Sequence, residues 1–272
     1  MSGAADPAYA LAGPVCRVPL EQTGRRWALI REPAGLDEQG VGGRTTQDAI
    51  RLLDRLLIDD PLSAVRPGDA ATLTVVERDL LLAAAYCLGW GPRISGAVTC
   101  AACASPFDLD FALADLADQV RATASSGVDG VFTLPGGARF RLPTALDEAA
   151  VLGLSGAEAE HALLARCLVA GDPAVDGPLV EEAMEQVGSG IDLDLAATCP
   201  ECGHGADVRF QIQDYLLGAV RSDWAGLIGD LHRIAVVYGW GLLEILSLPR
   251  SSRRAFVALL DGDPIPRAAE RR

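Results

Sequence analysis

The apolar spacing over Val75–Trp90 predicts a helix. Two further stretches read the same way: Thr46–Ile58, ending Leu52-Leu53-Asp54-Arg55-Leu56-Leu57-Ile58, and Gly156–Val169, ending Leu163-Leu164-Ala165-Arg166-Cys167-Leu168-Val169. Ser155-Gly156-Ala157-Glu158 has the form of a capping box opening the latter. Leu179–Val187 predicts a shorter helix. Strand-like runs occupy Arg26–Arg31, Pro106–Phe111 and Asp207–Ile212. Val131–Leu134 and Ala138–Phe140 flank Pro135-Gly136-Gly137, which predicts a hairpin. Asp214–Val237 reads as one long helix, broken by Tyr238-Gly239-Trp240. Short helices follow over Leu242–Leu248 and from Pro249 through Leu260.

These elements repeat. Arg31, Pro33, Leu36, Asp37, Glu38 and Val41 recur as Arg141, Pro143, Leu146, Asp147, Glu148 and Val151, at a constant offset of 110. A predicted helix follows each block, and Asp60-Pro61 then matches Asp172-Pro173. Cys100-x-x-Cys103 matches Cys199-x-x-Cys202 at an offset of 99, so the second copy is 13 residues shorter between these marks. Four blocks in one order, twice, predict a duplicated module. The expected fold is α+β: two duplicated α/β modules, each with a CxxC zinc-knuckle hairpin, plus a C-terminal helical tail. The expected boundaries are an arm over 1–24, modules over 25–118 and 130–213, and the tail over 214–272. Because the Asp37-Glu38 and Asp147-Glu148 pairs recur just before a helix, they read as helix-dipole placement rather than as paired catalytic carboxylates.

Composition narrows the function. The chain has 272 residues, enough for a core of its own, and a net charge of −14. That balance argues against nucleic acid or an anionic membrane as the main partner. All 23 basic residues are Arg, which excludes Schiff-base and P-loop lysines. Residues 250–272 carry six Arg against three acids, so a basic end is expected to dock on an acidic surface, its own or a partner's. The longest apolar stretch, Leu80–Gly91, is too short to cross a membrane. Met1–Cys16 has no basic n-region and no long apolar run, so a cytoplasmic location is expected.

The candidate chemistry lies in the two CxxC pairs. Thiolates at i and i+3 on a tight turn hold one edge of a zinc tetrahedron, and zinc needs four ligands. Cys199-Pro200-Glu201-Cys202-Gly203-His204 has a Gly after its second Cys, where a positive φ is needed. Cys100-Ala101-Ala102-Cys103 has Ala104 there instead. The leading expectation is one structural Zn²⁺ per chain, shared by Cys100, Cys103, Cys199 and Cys202 about a pseudo-twofold axis. A site of Cys199, Cys202 and His204 with an outside ligand, and no metal at all, are the alternatives. A dithiol enzyme would place its CxxC at a helix N-terminus, whereas both pairs lie between strand-like runs. Cys16, Cys87 and Cys167 read as ordinary packed or surface residues. No motif for nucleotide binding or hydrolysis is present, so a non-enzymatic protein is expected.

Asp230-Leu-His232-Arg-Ile-Ala235-x-x-Tyr238-Gly239-Trp240, with Glu244-Ile245-Leu246-x-Leu248-Pro249-Arg250-x-x-Arg253-Arg254, resembles the C-terminal signature of the baseplate hub assembly family of contractile-tailed phages and contractile injection systems. The Cys-Pro-x-Cys-Gly-His knuckle adds to that resemblance, which spans roughly residues 25–262. It implies a baseplate component or assembly chaperone whose partners are other baseplate, hub or tube proteins. Trp224, His232, Tyr238, Trp240, Leu248, Arg250, Arg253 and Arg254 are the candidate partner-binding residues. The rival is a zinc-ribbon protein acting as a regulatory or nucleic-acid-associated module.

Overall fold

The computed structural model describes residues 13–20, 27–123 and 127–262. Most of the arm expected over 1–24, the start of the strand at Arg26 and the basic end over 263–272 lie outside them. The described chain is mixed α/β, with four small antiparallel sheets among helices.

Strand β1 (Val15–Pro19) pairs antiparallel with β2 (Trp27–Arg31). Residues 15–19, which the sequence reading placed in the arm, are thus paired with β2, with Val18 buried and Cys16 half-buried beneath the pair. Helix α1 (Gly35–Gln39) follows, then α2 (Thr46–Leu56). Thr45 caps α2: its hydroxyl accepts from the Asp48 N–H while the Asp48 carboxylate takes the Thr45 N–H. Thr74 and Glu77 make the same reciprocal cap for α3 (Val75–Trp90). Helix α3 is apolar nearly all round, which is the mark of a central helix. It carries Val76, Leu80, Leu81, Leu82 and Ala85 into the core and touches β1, β2, α2, the helix α4 (Leu113–Thr123) and the helix α8 (Ile212–Ser222).

The hairpin β3 (Arg93–Thr99) and β4 (Pro106–Ala112) leads into α4. A three-stranded sheet follows: β5 (Val131–Thr133), β6 (Arg139–Arg141) and β7 (Leu168–Ala170), with α5 (Ala145–Val151) and α6 (Gly156–Cys167) between the last two. Val169, expected to end the α6 helix, lies in β7, because Phe140 of β6 pairs with Leu168. The capping box expected at Ser155 does not form. Gly156 takes φ +43° and the Glu158 N–H goes to the Ser155 carbonyl instead. Helix α7 (Pro173–Val187) starts earlier than its apolar pattern, on the Asp172 cap and a Pro at its first position. Then comes the hairpin β8 (Asp192–Thr198) and β9 (Gly205–Gln211), and α8.

The whole run Arg93–Thr123 is matched element for element by Asp192–Ser222 at an offset of 99. The block at Arg31 is matched at the level of single bonds. Arg31 gives Nη1 to the Glu32 carbonyl at 3.1 Å and to Asp37 at 2.6 Å, and Nη2 to Asp37 at 3.0 Å. Arg141 gives Nη1 to the Leu142 carbonyl at 3.1 Å and to Asp147 at 2.6 Å, and Nη2 to Asp147 at 3.0 Å. One continuous apolar core runs through both halves.

Helix α8 packs into the main core through Leu216, Leu217 and Val220, and α9 (Trp224–Tyr238), α10 (Leu242–Ser247) and α11 (Arg250–Asp261) follow it. The single long helix expected over Asp214–Val237 breaks at Asp223. The Asp223 carboxylate is held there by the Trp90 Nε1–H at 3.0 Å and by Arg250. Gly239 ends α9 in the left-handed region at φ +68°. Leu227, Leu231, Ile234, Ile245 and Leu246 form a second small core beneath these helices.

Candidate metal centre

Each CxxC sits on the turn of its hairpin. The Cys100 N–H donates to the Ser105 carbonyl and the Ala104 N–H to the Cys100 carbonyl, at 3.0 and 2.9 Å. In the other hairpin the Cys199 N–H donates to His204 and the Gly203 N–H to Cys199, both at 2.9 Å. The turn needs a left-handed residue after the second Cys. Gly203 supplies it at φ +73°, and Ala104 adopts it too, at φ +57°. A Cβ in that region costs on the order of 1 kcal/mol, so the missing Gly weakens the first knuckle without abolishing it.

The two turns face each other. Cys100 Sγ lies 3.7 Å from Cys202 Sγ, and Cys103 Sγ lies 3.7 Å from Cys199 Sγ. All four sulfurs lie within 4.8 Å of one another. A zinc–sulfur bond of about 2.3 Å gives a tetrahedron whose sulfur–sulfur edge is ~3.8 Å. The cross-hairpin distances match that edge, so the donor set fits one four-coordinate metal ion. Cys100 and Cys199 are buried, and Cys103 and Cys202 are exposed. Phe107, Val98 and Ala197 pack about the buried pair, while Phe111 and Phe210 meet edge to face at 5.0 Å further along the hairpins. Hydrogen bonds from the Ser105 side chain and backbone hold the Cys103 thiol down at about 6. At Cys202 the His204 backbone bond lowers the thiol, but the crowd of Cys103, Cys100 and Cys199 thiols raises it more, to about 12. Four sulfurs this close do not all ionise without a cation between them. His204 is not part of the converging set among the described residues. Neither pair sits at a helix N-terminus, and all seven Cys are free.

No family model, curated protein or solved structure matches the chain.

The remaining candidate residues separate into two groups. Trp224 and Tyr238 are 45% and 37% exposed, and His232 is exposed on α9. Tyr238 stacks on Trp240 at 5.2 Å, and both meet Phe256 edge to face. Leu248 is half-buried against the tail core. Arg254 is exposed, 3.7 Å from Asp223. Arg250 and Arg253 correct the sequence reading: they are 2% and 1% exposed and engage this chain's own acids, not a partner. Glu38 takes Arg250 at 3.1 Å and Arg253 at 2.7 Å. Arg253 also reaches Asp230, and Arg250 reaches Asp223 and stacks on the Trp90 ring at 4.2 Å. Ser251 adds two bonds to Glu32.

Glu38 is therefore the counter-ion that docks α11 onto α1, a role the helix-dipole reading missed. Asp79 was also missed. It is buried on α3, and its Oδ2 accepts the Ile191 N–H at 2.9 Å, tying α3 to the foot of the second hairpin. Burial pushes its carboxyl up to about 7. Burial likewise pushes the Cys87 and Cys167 thiols up to about 11, as befits packed thiols. No helix of the described residues is long and apolar enough to cross a membrane.

Proposed function

We propose that the chain is a duplicated module closed by one structural zinc on Cys100, Cys103, Cys199 and Cys202, and that it serves as a non-enzymatic baseplate component or assembly chaperone of a contractile tail or injection system. The observation that carries the zinc staple is the crossed 3.7 Å approach of sulfurs from two hairpins 99 residues apart in sequence. Such a closed four-thiolate site offers no open position for substrate, which suits a structural role. The bond-for-bond match of the Arg31 and Arg141 blocks supports the duplication.

The tail-assembly reading rests on the resemblance of the C-terminal signature. The signature residues have physical work in this fold that supports their reading as one unit. Asp230 pairs with Arg253, Pro249 and Arg250 meet Ala34 and Pro33, and Gly239 turns α9 toward α10. The test is a pull-down of tagged protein from its native host, with soluble and particle-pelleting fractions analysed separately by mass spectrometry. Sheath, tube or hub proteins in the pellet assign a structural baseplate part, and hub proteins in the soluble fraction alone assign a chaperone. Neither in either fraction overturns the tail-assembly reading.

A further inference from the structure

The last three helices correspond, residue for residue, to α2 and α3. The buried residues Ala49, Leu53 and Leu56 of α2 fall on Leu227, Leu231 and Ile234 of α9 at a constant offset of 178. The following connection is three residues shorter, so the offset becomes 175. The short 3-10 turn Ala70–Thr72 then falls on α10, and Ala70 and Ile245 are both fully buried. Leu73 ends the first at φ −70° and ψ 138°, with its N–H on the Ala70 carbonyl. Leu248 ends the second at φ −66° and ψ 136°, with its N–H on the Ile245 carbonyl. Thr74 opens α3 and Pro249 opens α11, and Arg78 and Arg253 stand four residues on, both buried. Between 70–78 and 245–253 only that Leu and that Arg are identical, so sequence alone does not show the match.

What these two openings touch also corresponds. Thr74 forms an antiparallel bridge with Thr144 beside α5, and Pro249 forms one with Ala34 beside α1. The Ala145 N–H donates to the Leu73 carbonyl at 3.3 Å, and the Arg250 N–H donates to the Pro33 carbonyl at 3.0 Å. Arg78 meets Glu148 of α5 at 2.9 Å, and Arg253 meets Glu38 of α1 at 2.7 Å. Ala34 and Glu38 correspond to Thr144 and Glu148 at the offset of 110 that relates the two Arg-x-Pro blocks. The second oxygen of each Glu is also taken, by Thr46 on Glu148 and by Arg250 on Glu38. Helix α7 lacks this opening: it starts on Asp172, with Gly171 in the Leu position and Asp176 in the Arg position.

We infer that α9–α11 are a third copy of the helical half-module, and that α1 and α5 are two copies of one docking surface for its opening turn. The partner this surface fits is a leucine, one extended residue, and a helix with Arg four residues on. Each feature has a physical reason. The extended residue adds a one-residue strand pairing, the helix N-terminus brings its positive end to the Glu, and the buried Arg requires that Glu as counter-ion. The numbers close. Two blocks meet two openings, and the helical half without the opening, α6–α7, has no block left to take. Arg253 is therefore available to another protein only when α11 leaves α1. The inference rests on the reading of the chain as a repeated module and not on the tail-assembly reading. A misplaced zinc would refute the pairing of the hairpins without touching this dock, so the two failures are distinguishable.

The experiment is amide hydrogen exchange of the zinc-loaded full chain, followed over 33–41, 242–262 and 144–151. Pro249→Thr with Ser252→Glu gives α11 the Thr-x-x-Glu cap that opens α3. Exchange in all three segments is expected to stay at the wild-type rate. Pro249→Asp with Arg253→Asp gives α11 the residues of α7. It is expected to speed exchange in 33–41 and 242–262 together by roughly tenfold or more, while 144–151, at the other dock, stays protected. A first variant that loses protection over 242–262 overturns the inference, and so does a second variant that keeps it. If the second variant also exposes 144–151 and so unfolds throughout, Glu38→Gln replaces it with the same expected pattern, and unchanged exchange there overturns the inference as well.

Discussion

Asp79→Asn is expected to make the protein more resistant to unfolding as pH rises. The Asp79 carboxyl is buried on α3, accepts one N–H from Ile191, and is raised from 3.8 to about 7 by burial, which the nearby Arg78 offsets only in part. Asp192 and Glu148 add repulsion. The folded chain thus holds this proton more tightly than the unfolded chain. Its contribution to stability is fully present below about pH 4 and is lost as pH rises toward 7, levelling off above that. The full loss is about 4 kcal/mol, from a little over three pKa units at about 1.36 kcal/mol each. Between pH 5 and 8.5 the share lost is about 2.5 kcal/mol. Asn cannot ionise, and its carbonyl oxygen can still accept the Ile191 N–H. Its amide N–H pair has to be accommodated in a buried place, at about 1–3 kcal/mol if unpartnered. That cost is the same at both pH values and cancels in the comparison. Urea unfolding of wild type and variant, with zinc present, gives the two stabilities at pH 5 and 8.5. Zinc release at the lower pH affects both proteins alike. The variant's advantage is expected to grow by about 2.5 kcal/mol from pH 5 to 8.5. An advantage that stays constant within about 0.5 kcal/mol refutes the reasoning and means that Asp79 titrates as an ordinary carboxyl.

Two further substitutions probe the knuckles and the tail. Ala104→Gly is expected to stabilise the zinc-loaded chain by about 1 kcal/mol and Gly203→Ala to destabilise it by as much, since a Cβ on Gly203 meets no other atom and only its φ of +73° opposes the change. Urea midpoints decide the matter, and equal values for both variants and wild type remove the left-handed turn from the account. Glu38→Ala leaves two buried guanidinium groups with one acid each, Arg250 with Asp223 and Arg253 with Asp230, while Nε on Arg250 and Nη1 on Arg253 already lack partners, and is expected to cost about 2–4 kcal/mol in the same assay. A cost under about 1 kcal/mol shows that water reaches the network.

What the sequence made legible was periodic or repeated. Val75–Trp90 was readable as a helix because its apolar positions continue at helical spacing with no Pro among them. The convergence of two CxxC pairs 99 residues apart was readable because similar sequence blocks precede both, whereas spacing alone argued against a shared site. What escaped depends on distant partners. The helix break at Asp223 is imposed by Trp90 and Arg250, from 133 and 27 residues away. Arg250 and Arg253 looked like surface cations because Glu38, more than 200 residues upstream, neutralises them only in the folded chain. The strand Val15–Pro19 escaped because it needs β2 to pair with. The Ser155 cap failed because Gly156 can take a backbone turn that carries the hydroxyl away from the Glu158 N–H.

The shared zinc is tested most directly by metal analysis of the purified chain, together with sulfur and zinc coordination from X-ray absorption. The account predicts one zinc per chain with four sulfur ligands at about 2.3 Å. It also predicts that Cys103→Ser in one hairpin and Cys199→Ser in the other each abolish that zinc and lower stability. Two zincs per chain, a nitrogen or oxygen ligand, or zinc retained at full occupancy when either hairpin loses its cysteine would contradict it.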